Sequence, residues 1–189
     1  MIKIKYLEKM KKPLEIEAET ILEAIRIAVE NGSDLCGVML NGADLAGLIL
    51  ENIDMSGSYF DGADLRSCVF RDCNFSESFF RGSVFNFGQA SQCNFDKCDF
   101  PGAICNCMHF RDCSFNDSYL SGLTIRHGSV RDCVFNDSIL RATDFKGSYL
   151  GGTSFINCKM ECSDLRDTKE SYSIKESIID GIKTGEYHK

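Results

Sequence analysis

RDCSFNDSYL at residues 111–120 is followed twenty residues later by RDCVFNDSIL at 131–140, and preceded forty residues earlier by RDCNFSESFF at 71–80. The copies lie 20, 40 and 60 residues apart, all multiples of twenty. A shorter period runs inside them. From Leu35 to Leu165 there are 27 positions whose number is a multiple of five, and 25 of them carry Leu, Phe, Ile, Val or Met. Ala90 and Cys105 are the exceptions. Two residues before each mark the side chain is usually small, as at Ser33, Ala43, Ser58, Ala63, Cys68, Ser78 and Cys98. Between the two stands Asp or Asn at Asp44, Asp54, Asp64, Asn74 and Asn94. The unit is small–polar–bulky–polar–polar, without a slip from residue 33 to 167.

A period of five fits neither an α-helix nor a flat strand. Two inward and three outward residues per unit suit a chain that turns a corner every five residues and winds into a solenoid. The twenty-residue return of RDC, and of Gly42, Gly62, Gly82, Gly102 and Gly122, gives the coil four sides. Residues twenty apart then stack one strand spacing apart, about 4.8 Å. At that rise the 27 units make roughly 7 coils and a rod about 32 Å long. Phe75, Phe95, Phe115, Phe135 and Phe155 fall in one column, each buried ring contributing about 1.5–3 kcal/mol. Ala90 leaves a gap between Phe70 and Phe110, with Met108 and Phe87 as the candidates to fill it.

The remaining composition narrows the function. A chain of 189 residues with net charge −7 fits one domain and argues against a surface for nucleic acid or anionic membrane. No run approaches the ~20 apolar residues of a membrane span. The N-terminal MIKIKYLEKMKKP has no apolar core of a signal peptide, so a soluble, cytoplasmic protein is expected. Eleven Cys in that setting read as reduced thiols acting as small apolar side chains. Seven of them (Cys68, Cys73, Cys93, Cys98, Cys113, Cys133, Cys158) occupy the small inward slot.

Runs such as NGADLAGLIL (41–50), DGADLRSCVF (61–70) and CNFDKCDF (93–100) resemble the A(D/N)LXX pattern of pentapeptide-repeat proteins. The resemblance implies an all-β solenoid, a right-handed four-sided parallel β-helix, usually without catalysis. Residues 1–32 are expected to form an N-terminal cap. IKIKYL (2–7) and LEIEA (14–18) pair around the turn KMKKP (9–13), and a helix opens at the Thr20/Glu23 capping box and stops at Gly32. Ile21, Leu22, Ile25, Ala28 and Val29 would lie over the first coil. A hairpin and helix leading into NGSDL resembles a group of phage and bacterial members. Residues 33–167 are the β-helix. In 168–189, Ile174, Ile178 and Ile182 at helical spacing suggest a short C-terminal capping helix, or a stripe that pairs two subunits.

No phosphate loop, HExxH or nucleophile elbow is present, so neither an enzyme nor a cofactor is expected. Cys107, His109 and His127 would share one corner, a weak zinc constellation with no fourth ligand; three unrelated surface residues is the plainer reading. Residues 1–32 hold 6 acids and 6 bases, residues 168–189 hold 4 and 4, and the rod holds 18 and 11. Relatives that protect DNA gyrase from quinolones are thought to imitate duplex DNA. Two outward acidic columns are therefore candidate partner-binding surfaces: Asp72, Asp112, Asp132 and Glu77, Asp117, Asp137. Arg71, Arg111 and Arg131 dilute them, and the register lacks the inserted loops of the quinolone-resistance members. A further outward column, Met39, Tyr59, Phe79, Asp99, Tyr119, Ile139 and Lys159, is either ladder stacking or an apolar strip for a partner. The expected function is a non-catalytic protein-binding module, a DNA-mimic-like inhibitor or protector of a DNA-handling enzyme (topoisomerase or nuclease) in a phage anti-host or counter-defence setting. The alternative is a structural or assembly adaptor docking through Tyr59, Phe79, Tyr119 and Ile139. The partner is a protein, with no direct nucleic acid and no membrane, and the chain is a monomer or homodimer.

Overall fold

All 27 of the multiple-of-five residues from Leu35 to Leu165 are buried in the computed structural model, which describes residues 1–7 and 12–184. They fill the axis of a four-sided coil whose corners recur every five residues. Two structural reasons lie behind the repeat. Every residue two past a mark, from Gly32 to Asp167, has positive φ, for example Gly62 at +66°, Asp112 at +53° and Lys97 at +58°. A single left-handed residue re-aims the chain, and Gly, Asn and Asp accept it most readily. At many corners the turn is closed by a hydrogen bond, as where Ala63 N–H donates to the Phe60 carbonyl at 2.9 Å around Asp61–Gly62. That bond, with positive φ at the third residue only, describes a type II turn.

The second reason concerns the Asp or Asn before each mark. Its carboxyl or amide oxygen accepts the N–H two residues on, as Asp54 does from Ser56 at 2.9 Å and Asn94 from Asp96 at 2.8 Å. These short-range bonds satisfy backbone groups that the corner takes out of the ladder.

Successive turns pair in parallel with a shift of twenty. Strands β4 (Ile49–Glu51), β5 (Val69–Arg71), β6 (Gln89–Ser91), β7 (His109–Arg111) and β8 (Ser129–Arg131) form one ladder in that order. This is the His109 face, continued by bridges to Tyr149 and Lys169. Three more ladders define the Tyr59, Asp64 and Asn94 faces. From Ile49 to Lys169 the ladder takes six steps, so the solenoid has about six turns where the unit count gave roughly seven. At the lower end β3 (Val38–Met39) pairs antiparallel with β1 (Ile2–Tyr6) and is joined in parallel to the next turn through the Met39–Tyr59 bridge.

The Phe column stacks as the spacing requires. Ring centroids of Phe75, Phe95, Phe115, Phe135 and Phe155 are 5.3, 5.1, 4.8 and 4.9 Å apart. At Ala90, Met108 is buried and its sulfur lies 2.9 Å from where a Gly88 Cβ would stand. Met108 therefore takes up the space that Gly88, in the small slot one turn below, leaves open. Phe87 does not, being 66% exposed.

At the N-terminus β1 pairs with β2 (Leu14–Ile16), while most of the turn expected at 9–13 lies outside the described residues. Helix α1 (Ile21–Glu30) starts at Thr20, whose hydroxyl accepts from Glu23 N–H at 3.1 Å; Glu23 reaches back to Glu19 N–H at 2.8 Å. It ends in a Schellman turn, Gly32 N–H to Val29 and Ser33 N–H to Ala28. Ala24, Ile25 and Ala28 are buried and Ile21, Leu22 and Val29 partly so, closing the lower end of the core.

The C-terminal segment corrects the expectation of a helix. The strands β9 (Val134–Asn136) and β10 (Ser154–Ile156) are continued by β12 (Ser173–Lys175), and β11 (Asp164–Leu165) by β13 (Lys183–Thr184). The shift is nineteen, not twenty: Phe155 pairs with Ile174 and Asp164 with Lys183. One residue is missing at the corner near Ser171–Tyr172, so the marks move from multiples of five to Ile174 and Ile179. Ser177 takes the small slot, its hydroxyl accepting Cys158 N–H at 2.9 Å. The Ile spacing of four that suggests a helix is a by-product of this one-residue slip.

Candidate functional site

Along the described solenoid a partner can be met by the outward side chains of four faces and four corners, because the axis is filled. The corner columns hold the predicted acids. Asp72, Asp112 and Asp132 lie at the corner between the His109 and Asn94 faces, and Glu77, Asp117 and Asp137 at the corner between the Asn94 and Tyr59 faces. All six are exposed and all have positive φ, from +52° to +60°. Both predicted columns therefore border the same face. Its floor carries Asp54, Asn74, Asn94, Ser114 and Val134 in successive rungs.

Counting that face with both corners changes the charge picture. Asp34, Glu51, Asp54, Asp72, Glu77, Asp96, Asp112, Asp117, Asp132 and Asp137 give ten acids against four bases, Arg71, Lys97, Arg111 and Arg131. The rod holds 18 acids and 11 bases, so eight acids and seven bases remain for the other three faces. The net negative charge is one-sided. The column reading named six of the ten; position modulo twenty would have found Asp34, Glu51, Asp54 and Asp96. Local pairing is sparse: Arg111 Nε lies 3.3 Å from Asp112 and Lys97 3.6 Å from Glu77, both between exposed groups of small energetic weight. A groove of about 320 Å³ runs along this face between Gln92, Asn94, Asp112, Ser114, Asp132 and Val134.

The Tyr59 face carries the apolar strip. Tyr59 and Phe79 stack at 4.6 Å with their planes 15° apart, and Tyr119 is 43% exposed above them. Asp99 stands between Phe79 and Tyr119 in the ladder and splits the strip. Ile139 is half-buried beyond Tyr119. Gly62, Gly82, Gly102 and Gly122 line the adjoining corner with positive φ. Phe87, exposed at a left-handed corner, is an aromatic that column reasoning assigned to the core.

The candidate zinc constellation is not assembled. Cys107 and His127 do share a corner column, but His127 Nδ1 leans over Gly147, 2.6 Å from where a Cβ would stand there, and so away from Cys107. His109 lines a notch on the next face. Among the described residues no group of three His, Cys, Asp or Glu is placed to hold a metal ion. Nor is any helix among them long and apolar enough to cross a membrane.

The thiols are structural. All seven inward Cys are buried and none of the eleven is in a disulfide. The slot explains why Cys, Ser and Thr recur: most donate to a carbonyl 23 residues back, while Cys73, Cys93 and Cys133 donate to the carbonyl two residues before them and Ser83 to the one three before. Cys98 Sγ reaches Phe75 O at 2.9 Å, and Ser118 Oγ reaches Phe95 O at 2.9 Å while accepting Cys98 N–H at 3.2 Å. Burial pushes the Cys98 thiol up to about 12, and contact with the next thiol does the same for Cys93 and Cys113.

Sequence comparison now agrees with the geometry. Residues 88–165 match the family model for a pentapeptide repeat region, and 31–57 and 49–86 match that for pentapeptide repeats (8 copies). The chain belongs to the pentapeptide-repeat family. Two trypsin-treated forms of QnrB1, a plasmid-mediated fluoroquinolone resistance protein, superpose with TM-scores of 0.60 and 0.58 at 20% identity, covering 79% of this chain and 78% of theirs. HetL, a pentapeptide repeat protein involved in heterocyst differentiation regulation from the cyanobacterium Nostoc sp. strain PCC 7120, is 13% identical, with 88% of this chain and 95% of that one covered and a TM-score of 0.30. No curated protein sequence matches. At these identities the likeness to QnrB1 shows the fold, the four-sided parallel β-helix, and a non-catalytic protein-binding role fits that family.

Proposed function

We propose that the Asn94 face docks into the DNA-binding surface of a DNA-handling enzyme, a topoisomerase or nuclease, which the protein inhibits or protects in the cytoplasm. The supporting observation is the one-sided charge. From Asp34 to Asp137 the ten carboxylates climb about five rungs, about 25 Å, and with four bases leave a net charge of −6. One strand of B-DNA carries about seven phosphates over that length, at 3.4 Å each. Spread over the whole rod, −7 is dilute; six of those charges gathered on one face come close to the linear density of one DNA strand. The corner conformation admits these carboxylates without demanding them, since Gly, Ser, Gln, Lys and Ala fill the same left-handed position elsewhere. The likeness to QnrB1, a fluoroquinolone resistance protein, puts a topoisomerase first among the enzymes to test.

The test is competition with duplex DNA. Asp112, Asp117, Asp132 and Asp137 all changed to Asn would take the chain from −7 to −3, and all changed to Lys to +1. Lys97 at the same kind of corner shows that Lys is tolerated. The wild type should displace DNA from the enzyme, less so as salt shortens the ~10 Å screening length of 0.1 M. The Asn variant should compete weakly and the Lys variant not at all. A second reading rests on the Tyr59–Phe79 stack and exposed Tyr119: an adaptor docking through the apolar strip. If the Lys variant binds normally while Tyr59→Ala with Tyr119→Ala abolishes binding, that strip is the working surface and the acidic face is not.

A further inference from the structure

The His109 face has a rung with no ring in it. His109, Ser129 and Tyr149 occupy successive rungs of one ladder, and the Ser129 side chain is too short to reach as far out as its neighbours. The result is a notch of about 340 Å³ bounded by His109 and Tyr149 along the rod and by Arg111 and Arg131 at the corner, with Ser129 and Phe110 as its floor. We propose that this notch binds a planar aromatic ring that carries an anionic group.

Three observations carry this. First, spacing: aromatic neighbours twenty residues apart in this protein stack at 4.6–5.3 Å. A ring lodged at the Ser129 rung would lie about 4.8 Å from each wall, inside the 4.5–7 Å range of favourable ring pairs. The ligand completes the ladder. Second, one wall is already fixed. Lys169 Nζ sits 4.9 Å from the Tyr149 ring centre and donates to its hydroxyl at 3.3 Å, and the Arg131 guanidinium lies 5.5 Å from the same ring. Tyr149 is held before a ligand arrives, which lowers the ordering cost of binding. Third, charge: in an acidic protein this face gathers Arg111, Arg131 and Lys169. Glu170 bonds Arg131 at 2.7 Å and Asp112 lies 3.3 Å from Arg111 Nε. A guanidinium has five N–H donors in a fork, so each Arg can take a further anion. Gly151 continues the Arg corner column without a side chain, which leaves the upper rim to Glu170 alone. This site lies across a corner from the acidic face and is independent of the function proposed for it.

Phenyl phosphate supplies both parts of the ligand, inorganic phosphate only the charge, and phenol only the ring. Side-chain NMR of His109 and Tyr149 in the intact protein should show saturable shifts with phenyl phosphate, and at least about tenfold weaker binding of the other two. Ser129→Phe supplies the ring from the chain itself: it should raise the melting temperature and abolish binding, while Ser129→Ala leaves binding intact. Arg111→Gln, at an exposed position, should weaken phenyl phosphate and leave phenol unchanged. Tighter binding of adenosine monophosphate than of a phosphotyrosine peptide assigns the ring to a free nucleotide; the reverse order assigns it to a polypeptide. No saturation by about 10 mM phenyl phosphate, a free energy near −3 kcal/mol, overturns the proposal. So does equal binding by the Ser129→Phe protein, or by Arg111→Gln if Ser129→Phe does not fold.

Discussion

At the scale of single residues, the slot behind each corner is chemical as well as steric. Its occupant is small at most positions so that the axis can fill, and where it is Ser, Thr or Cys it most often gives a carbonyl 23 residues back a donor. The size was legible in the sequence; the donor was not, because its acceptor is more than one turn away. The left-handed corner was likewise hidden, since Gly, Asp, Lys and Phe at the same position share no side-chain property, only φ. The thiols give a pH prediction. In the folded protein Cys68, Cys93, Cys98 and Cys113 are pushed up to about 12 from 9.0, Cys68 and Cys98 chiefly by burial and the other two chiefly by a neighbouring thiol. The folded state thus keeps protons that the unfolded chain releases. Stability should be unaffected below pH 9 and fall between pH 9 and 12, by about 1.4 kcal/mol per pH unit for each such thiol. Urea unfolding from pH 7 to 11 measures the slope, and Cys98→Ser, which keeps the donor, should lower it by one proton's worth. In native protein Cys36, Cys107 and Cys162 should react with a thiol reagent at neutral pH and the eight buried Cys should not, with all eleven counted after denaturation.

At the scale of elements, the repeat was readable wherever its register was kept and misread where it slipped. Residues 33–167 hold one phase, and the faces follow from arithmetic. Past Thr168 a single missing residue shifts the phase, and Ile174, Ile178 and Ile182 then imitate a helix. The ladder pairing of Phe155 with Ile174 decides for a coil. Gly181, with φ of +66°, forms one of its corners, so Gly181→Ala should destabilise by about 1 kcal/mol, a helix by contrast gaining from the same change. Chemical denaturation gives the sign. The middle of the rod offers a second test. Met108 is buried over Gly88, so Met108→Ala should cost about 2–5 kcal/mol, as for other buried large-to-small changes. Ala90→Phe tests whether Met108 also fills the Ala90 gap: if it does, Ala90→Phe alone should destabilise as well. Combined with Met108→Ala it should recover much of the loss, a coupling that a double-mutant cycle would register.

At the scale of the whole molecule, net charge and its distribution carry different information. The excess of acids was plain from composition, but its confinement to one face appears only once residues are sorted by position in the turn. Sorting also shows that the four sides differ: one acidic, one aromatic, one paired Asp64–Arg66 and Asp144–Arg126, one with a cationic notch. Raising salt should therefore weaken a partner held by the Asn94 face and spare one held by the Tyr59 strip, a distinction that one binding titration at two ionic strengths resolves. The uniform step of twenty has a consequence of its own. Length is a digital variable in this molecule. A duplicated segment of twenty residues, such as 91–110, would add one storey of about 4.8 Å and leave every column on its own side. A step of nineteen or twenty-one has to be absorbed at a corner, as the slip near Ser171 is, where Phe155 still meets Ile174 and Asp164 still meets Lys183. Lineages of such rods can therefore grow or shrink by whole storeys, and matching a partner's reach becomes a matter of counting.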